Sequence, residues 1–143
     1  MIVSPCLICS IVEGRVPAHR VYEDDYCLAF LDIRPAAPGH TMIVPKAHVS
    51  RVEDLSPEQA QALFSALHRL LAPIRDAVGA DATTIGVNNG PGSGQEVPHV
   101  HIHILPRRRG DRGGIIQSLG PGGRADLTEI AEKIRERITA SGS

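Results

Sequence analysis

Between Pro98 and Pro106 the chain reads Pro-His-Val-His-Ile-His-Ile-Leu-Pro, an alternation of imidazole and aliphatic side chains. Successive side chains of an extended chain point to opposite faces. A strand here therefore places Val100, Ile102 and Ile104 on one face and His99, His101 and His103 on the other. The aliphatic face belongs to a core and the imidazole face to chemistry, because His forms strands weakly and three in a row make a poor solvated surface. Two chemistries stay open at this level. Strand-spaced imidazoles suit zinc, which binds ring nitrogen in tetrahedral geometry. A neutral imidazole is also a nucleophile, since its unperturbed pKa of about 6.5 leaves it mostly deprotonated at neutral pH.

The rest of the 143 residues supplies the layers that such a strand needs. Cys6 to Glu13 reads as a short helix closed by Gly14. Strands are expected at His19 to Glu23 and Tyr26 to Asp32, folded into a hairpin at Asp24-Asp25. Two prolines make Pro35 to Gly39 a loop, and His40 to Val44 resumes as a strand. Ser56, Pro57 and Gln59 form an N-cap, a first-turn proline and a capping box. The helix they start has an apolar stripe of Leu63, Leu67, Leu70, Leu71 and Ile74, with Gly79 as its stop and Pro73 as an expected kink or early end. Thr83 to Asn88 reads as a strand, Gly90 to Gly94 as a glycine-rich loop, and Pro98 to Leu105 as the last strand. Residues 108–125 read as a flexible, partly basic loop. Asp126 and Glu129 open an amphipathic C-terminal helix over 126–140, with Ile130, Ile134 and Ile138 on one face. This order predicts one α+β domain over 1–143, with an antiparallel meander of about five strands, one long helix across it and a C-terminal helix.

Composition excludes several functions. Lys and Arg number 15 against 16 Asp and Glu, so no global field draws nucleic acid or an anionic membrane to the chain. Aromatics make up 3% with no Trp, which removes the stacking platforms of single-strand binders. Met1 to Val12 lacks the basic leader of a signal peptide, and no apolar run approaches the ~20 residues of a membrane span. A cytoplasmic protein without nucleic-acid or membrane partners is the expectation. Cys6, Cys9 and Cys27 are an odd set for a disulfide framework. Cys6-Leu-Ile-Cys9 instead has the spacing of a zinc knuckle, which needs two further ligands, and no βαβ context supports a redox reading.

The string from Gly94 to Arg107 resembles the histidine triad (HIT) family, whose pattern is His-φ-His-φ-His-φ-φ with φ apolar. Val16-Pro17-Ala18, Val21 to Asp24, Phe30-Leu31-Asp32-Ile33 and Gly39 to His48 are similar to family segments in family order, so the resemblance covers about residues 6 to 107. It implies a HIT-like fold, a homodimer with one continuous sheet, and a hydrolase that releases a nucleoside 5′-monophosphate, with AMP expected. In such enzymes the middle histidine, here His101, attacks the α-phosphorus and forms a nucleotidyl-histidine intermediate. His103 would contact the phosphate, and its being His rather than Gln favours a hydrolase over the transferase branches. Gly94 and Gln95 would offer backbone amides to phosphate, Asn88 would bind near phosphate or ribose, and Asp32 would accept from ribose hydroxyls. Leu7, Ile8, Ile11, Phe30 and Ile33 would wall a purine. One subgroup pairs an N-terminal C-x-x-C with histidines equivalent to His48 and His99, which implies a structural zinc held by Cys6, Cys9, His48 and His99. Glu96 departs from the pattern, because many members carry Ser or Thr there. A carboxylate at that position would act as an acid or select cationic leaving groups. A zinc-water hydrolase and a nucleotide-binding sensor are the competing readings. His19, His40 and His68 receive no role.

Overall fold

The computed structural model describes residues 6–111 and 126–141. The expected flexible loop lies almost wholly outside the described residues. Near the N-terminus, Cys6 caps α1 (Leu7–Val12), its Sγ accepting the Cys9 N–H, and Gly14 at φ +79° turns the chain out of the helix. Asp24 then makes the hairpin. Its carboxylate accepts the N–H groups of Tyr26 and Cys27, folding β1 (Arg20–Glu23) onto β2 (Cys27–Leu31). β3 (Thr41–Pro45) pairs with β2, and the Ser56–Gln59 capping box starts α2 (Pro57–Ala77). The helix runs through Pro73, which neither ends nor shortens it; the ring is buried on the core-facing side beside Ile74. β4 (Ala82–Gly86), β5 (Ile102–Arg107) and α3 (Leu127–Ala140) complete the fold, with the Asp126 side chain accepting the Glu129 N–H at the start of α3.

All strand pairs are antiparallel, but the sheet order β1-β2-β3-β5-β4 is not the expected meander. The long crossover through α2 carries the chain past one strand position, and β5 returns to fill it between β3 and β4. Both faces of the sheet are covered. On one, Ala29, Leu31, Ile43, Val100, Ile102 and Ile104 pack with Leu63, Leu70 and Ile74 of α2 and Ile130 and Ile134 of α3. On the other, Leu28, Phe30 and Val44 pack with Ile8 and Ile11 of α1. This is why all five residues of β2 are buried: a strand between two layers loses its polar face.

The last strand differs from its sequence reading. It starts at Ile102, not Pro98, and extends to Arg107. Likewise β4 stops at Gly86, leaving Asn88 beyond it. Between them, residues 87–101 are irregular apart from a single 3-10 turn at Pro91–Ser93. Two residues of the histidine motif therefore lie outside the sheet. Their placement decides the site.

Candidate active site and metal centre

Because regular pairing begins only at Ile102, the three motif histidines do not line one face as equals. Val100 N–H donates to Val49 O (2.8 Å) and His99 N–H donates to Val97 O (2.8 Å), a turn that carries His99 away from its neighbours. His99 joins Cys6, Cys9 and His48. His101 and His103 face a common cleft, their ring centroids 5.0 Å apart.

Backbone groups fix the protonation pattern of each ring. His101 Nδ1 donates to the carbonyl of His99 (2.7 Å), leaving Nε2 as the ring nitrogen with a lone pair. His40, whose Nδ1 accepts the Ala36 N–H (3.0 Å), carries its proton on Nε2 and donates it to His103 Nδ1 (2.8 Å). A neutral His103 consequently bears its proton on Nε2. Burial keeps that neutral form: it pushes the His103 pKa down to about 3, with the neighbouring His40 and His101 adding to the shift. Burial also lowers His40, against an opposing pull from Asp32, whose Oδ2 lies 3.7 Å from His40 Nε2. The arrangement presents an imidazole lone pair beside an imidazole N–H donor. That pair suits attack on an electrophile whose oxygens gain charge, as at phosphorus.

The metal centre can be tested against the dimensions of a tetrahedral ion. Ligand distances of about 2.0–2.1 Å to nitrogen and about 2.3 Å to sulfur place neighbouring ligands ~3.4 Å apart for N–N and ~3.6 Å for N–S. Here His48 Nδ1 and His99 Nδ1 are 3.3 Å apart. Cys6 Sγ and Cys9 Sγ each lie 3.5 Å from His99 Nδ1, and Cys9 Sγ lies 3.2 Å from His48 Nδ1. His99 also donates its other ring nitrogen, Nε2, to Pro45 O (2.8 Å), the partner that ligating histidines usually have. Burial first, then Cys6, raises the Cys9 thiol to about 11, so a thiolate at Cys9 needs a cation. The donor set fits zinc. His48 belongs to this cluster, as the resemblance implied.

Asp32, His40 and His103 also converge. Their 2.8 Å nitrogen separation is that of a hydrogen bond, shorter than the ~3.4 Å of a tetrahedral zinc pair. We read a relay, not a second metal site.

The cleft has a volume of about 580 Å³, and its walls include Leu7, Asp32, Ile33, Asn88, Gly94 and Glu96 from the expected set. Leu7 and Ile33 are the exposed apolar rims, at 51% and 70%. Ile8, Ile11 and Phe30 are not walls; they pack in the core between α1 and the sheet. Gln95 braces the glycine loop, its Oε1 accepting the Gly90 N–H (2.7 Å) while its Nε2 donates to Ser50 O (2.9 Å). Arg34, Met42 and Val97 line the cleft unforeseen. So does the relay role of His40. It sits two residues before Met42, which pairs with His103, so period-2 spacing along β3 held the signal, but only with the β3–β5 register known.

Comparison with known proteins places this architecture. The family model of the HIT domain matches residues 13–110. The chain belongs to the HIT family. An adenosine 5′-monophosphoramidase of Schizosaccharomyces pombe is 31% identical over 93% of this HIT chain and 98% of its own length. An adenylylsulfatase of Arabidopsis thaliana is 40% identical over 74% of this chain and 54% of its own. Among solved structures, a zinc-bound histidine triad family protein from Mycobacterium smegmatis superposes with a TM-score of 0.85 at 34% identity, covering 96% of both chains. The HIT fold is therefore the fold of this chain, and its relatives include hydrolases of nucleotides.

Proposed function

We propose that this HIT protein cleaves a nucleoside 5′-monophosphate, AMP in the first instance, from its leaving group through a nucleotidyl intermediate on His101. One observation carries the reading: the His99 carbonyl holds the Nδ1 proton of His101, so Nε2 is a lone pair beside the cleft and the His103 donor. Nε2 attacks the α-phosphorus, the bond to the leaving group breaks, and water later hydrolyses the phosphorus–nitrogen bond. His103 Nε2–H donates to the phosphate oxygens as charge gathers on them, with His40 holding its tautomer. Gly94, at φ +97°, lets the loop approach the phosphate closely, and Gln95 holds that loop in shape. Leu7 and Ile33 flank the base, Asp32 meets the ribose, Asn88 lies near the phosphate, and Glu96 faces the leaving group.

Cys6, Cys9, His48 and His99 would hold a structural zinc, which would supply a cross-link between α1 and the two segments carrying its histidines. A zinc-activated water needs an open coordination position, and four protein donors already complete a tetrahedron. Free cysteines at 6, 9 and 27 suit the reducing cytoplasm. Among the described residues no helix is long and apolar enough to cross a membrane. Two chains pair across the β4 edge, where Ile85 is 45% exposed and Phe64 of α2 is 44% exposed.

The test is incubation of wild type and His101→Ala with adenosine 5′-phosphoramidate, with AMP release, intact mass and zinc content measured on the same samples. A transient AMP adduct on His101, with turnover lost in the zinc-loaded variant, is the expected result. Full activity of His101→Ala refutes the mechanism. Tight nucleotide binding without turnover of any leaving group would favour a sensor.

A further inference from the structure

The nucleophile sits at the end of an irregular stretch, 87–101, which the sheet does not hold. Its hydrogen bonds run instead to a second segment outside the sheet, 48–53, whose last two residues begin a 3-10 turn (Val52–Asp54). Val100 N–H donates to Val49 O (2.8 Å), and Ser50 Oγ donates to Pro98 O (3.0 Å). Gln95 Nε2 donates to Ser50 O (2.9 Å), while Asn89 Oδ1 accepts the Val52 N–H (2.9 Å). Asn89 Nδ2 in turn donates to Glu53 (2.7 Å). Arg51 lies directly against Gly90, where a Cβ would meet its guanidinium carbon at 2.9 Å. The two segments form a splint and a loop. Each contributes one donor to the Cys2His2 cluster: His48 opens the splint, and His99, two residues before the nucleophile, closes the loop. His99 thus spans both sites, with its ring nitrogen in the cluster and its carbonyl on His101 Nδ1.

We propose that Ser50 and His99 are positioning residues, and that metal in the Cys2His2 centre locks the 48–53 splint to the 87–101 loop and so sets the aim of His101. This rests on the reading of His101 as nucleophile and of the cluster as a zinc site. The centre is then a control point for turnover as well as a staple for α1. Nucleotide affinity depends less on the splint, because Asp32, Ile33 and Met42 come from β3 and the connection that leads into it from β2.

The experiment compares zinc-loaded wild type, zinc-stripped wild type and zinc-loaded Ser50→Ala. Three quantities are read: amide exchange, AMP affinity, and the single-turnover rate of adduct formation from adenosine 5′-phosphoramidate. Stripping is expected to speed exchange at Gly90 and Val100 while β2–β3 amides stay protected. It should slow adduct formation by about 10²-fold, the scale of an ångström-sized misplacement. Ser50→Ala, which leaves α1 and Leu7 stapled, should show the same pattern, about tenfold in rate, with full zinc content and AMP affinity changed by no more than about threefold; this variant decides the matter if stripped protein unfolds. Unchanged loop exchange and adduct rate in Ser50→Ala overturn the proposal, as do unchanged values in folded, stripped protein. If wild type forms no adduct, the nucleophile reading fails, and the exchange data still decide whether the splint exists.

Discussion

Acidification should weaken this fold through its buried imidazoles, His103 foremost. His103 is 9% exposed, and burial with its two histidine neighbours lowers its pKa from the ordinary 6.5 to about 3. In the unfolded chain the same ring takes a proton near pH 6.5. Between those values the unfolded state binds more protons than the native state, so stability falls as pH falls, starting near 6.5 and levelling off near 3. From pH 7 to pH 5 the loss assigned to His103 is about 2 kcal/mol, or roughly a 1 M shift of a urea midpoint. Zinc thiolates also protonate in this range, so the measurement must be differential. Wild type and His103→Gln, whose side-chain oxygen can still accept from His40, are unfolded in urea at pH 7 and pH 5. The wild-type midpoint should fall by about 1 M more than that of the variant. Parallel shifts in the two proteins would refute the assignment of a buried, neutral His103.

Three further outcomes are expected. Glu96→Ser should lower kcat/KM for AMP phosphoramidates of cationic amines relative to neutral ones by about fivefold, because loss of one exposed charge is worth about a kcal/mol; an unchanged ratio removes Glu96 from leaving-group selection. Ile85→Lys puts a charge on the exposed β4 edge and should shift sedimentation from dimer to monomer with the far-UV spectrum retained; an intact dimer places the interface elsewhere. Leu70→Ala empties a fully buried site between α2 and the sheet and should cost about 2–5 kcal/mol in denaturant unfolding, while a cost below about 1 kcal/mol would mean the core is less tightly packed than described.

Local signals carried most of the fold. Ser56 and Gln59 form both capping bonds, Asp24 folds the first hairpin, and the Leu63, Leu70 and Ile74 stripe faces the sheet. Each depends on interactions within a few residues. Pro73 shows where such reasoning stops: a helix interior normally excludes proline, yet α2 continues through it with the ring packed inside the protein.

The candidate site divides along the same line. Residue types and spacing alone set apart Cys6 and Cys9 as thiolate donors, and set apart the alternating run around His101 as an imidazole array over a core face. These are properties of neighbours in the chain. The family resemblance had implied His99 as a metal donor and His101 and His103 at the phosphate; only the tertiary structure showed the turn that separates them and recruited His40. Strand periodicity could not foresee this, because regular pairing begins at Ile102 and the turn before it is held by bonds to residues 49 and 50, about fifty positions away. His40 meets His103 through the β3–β5 register, and Ile8, Ile11 and Phe30 went to the core because α1 covers that end of the sheet. Register and layer packing join residues far apart in the chain, and no local pattern encodes them.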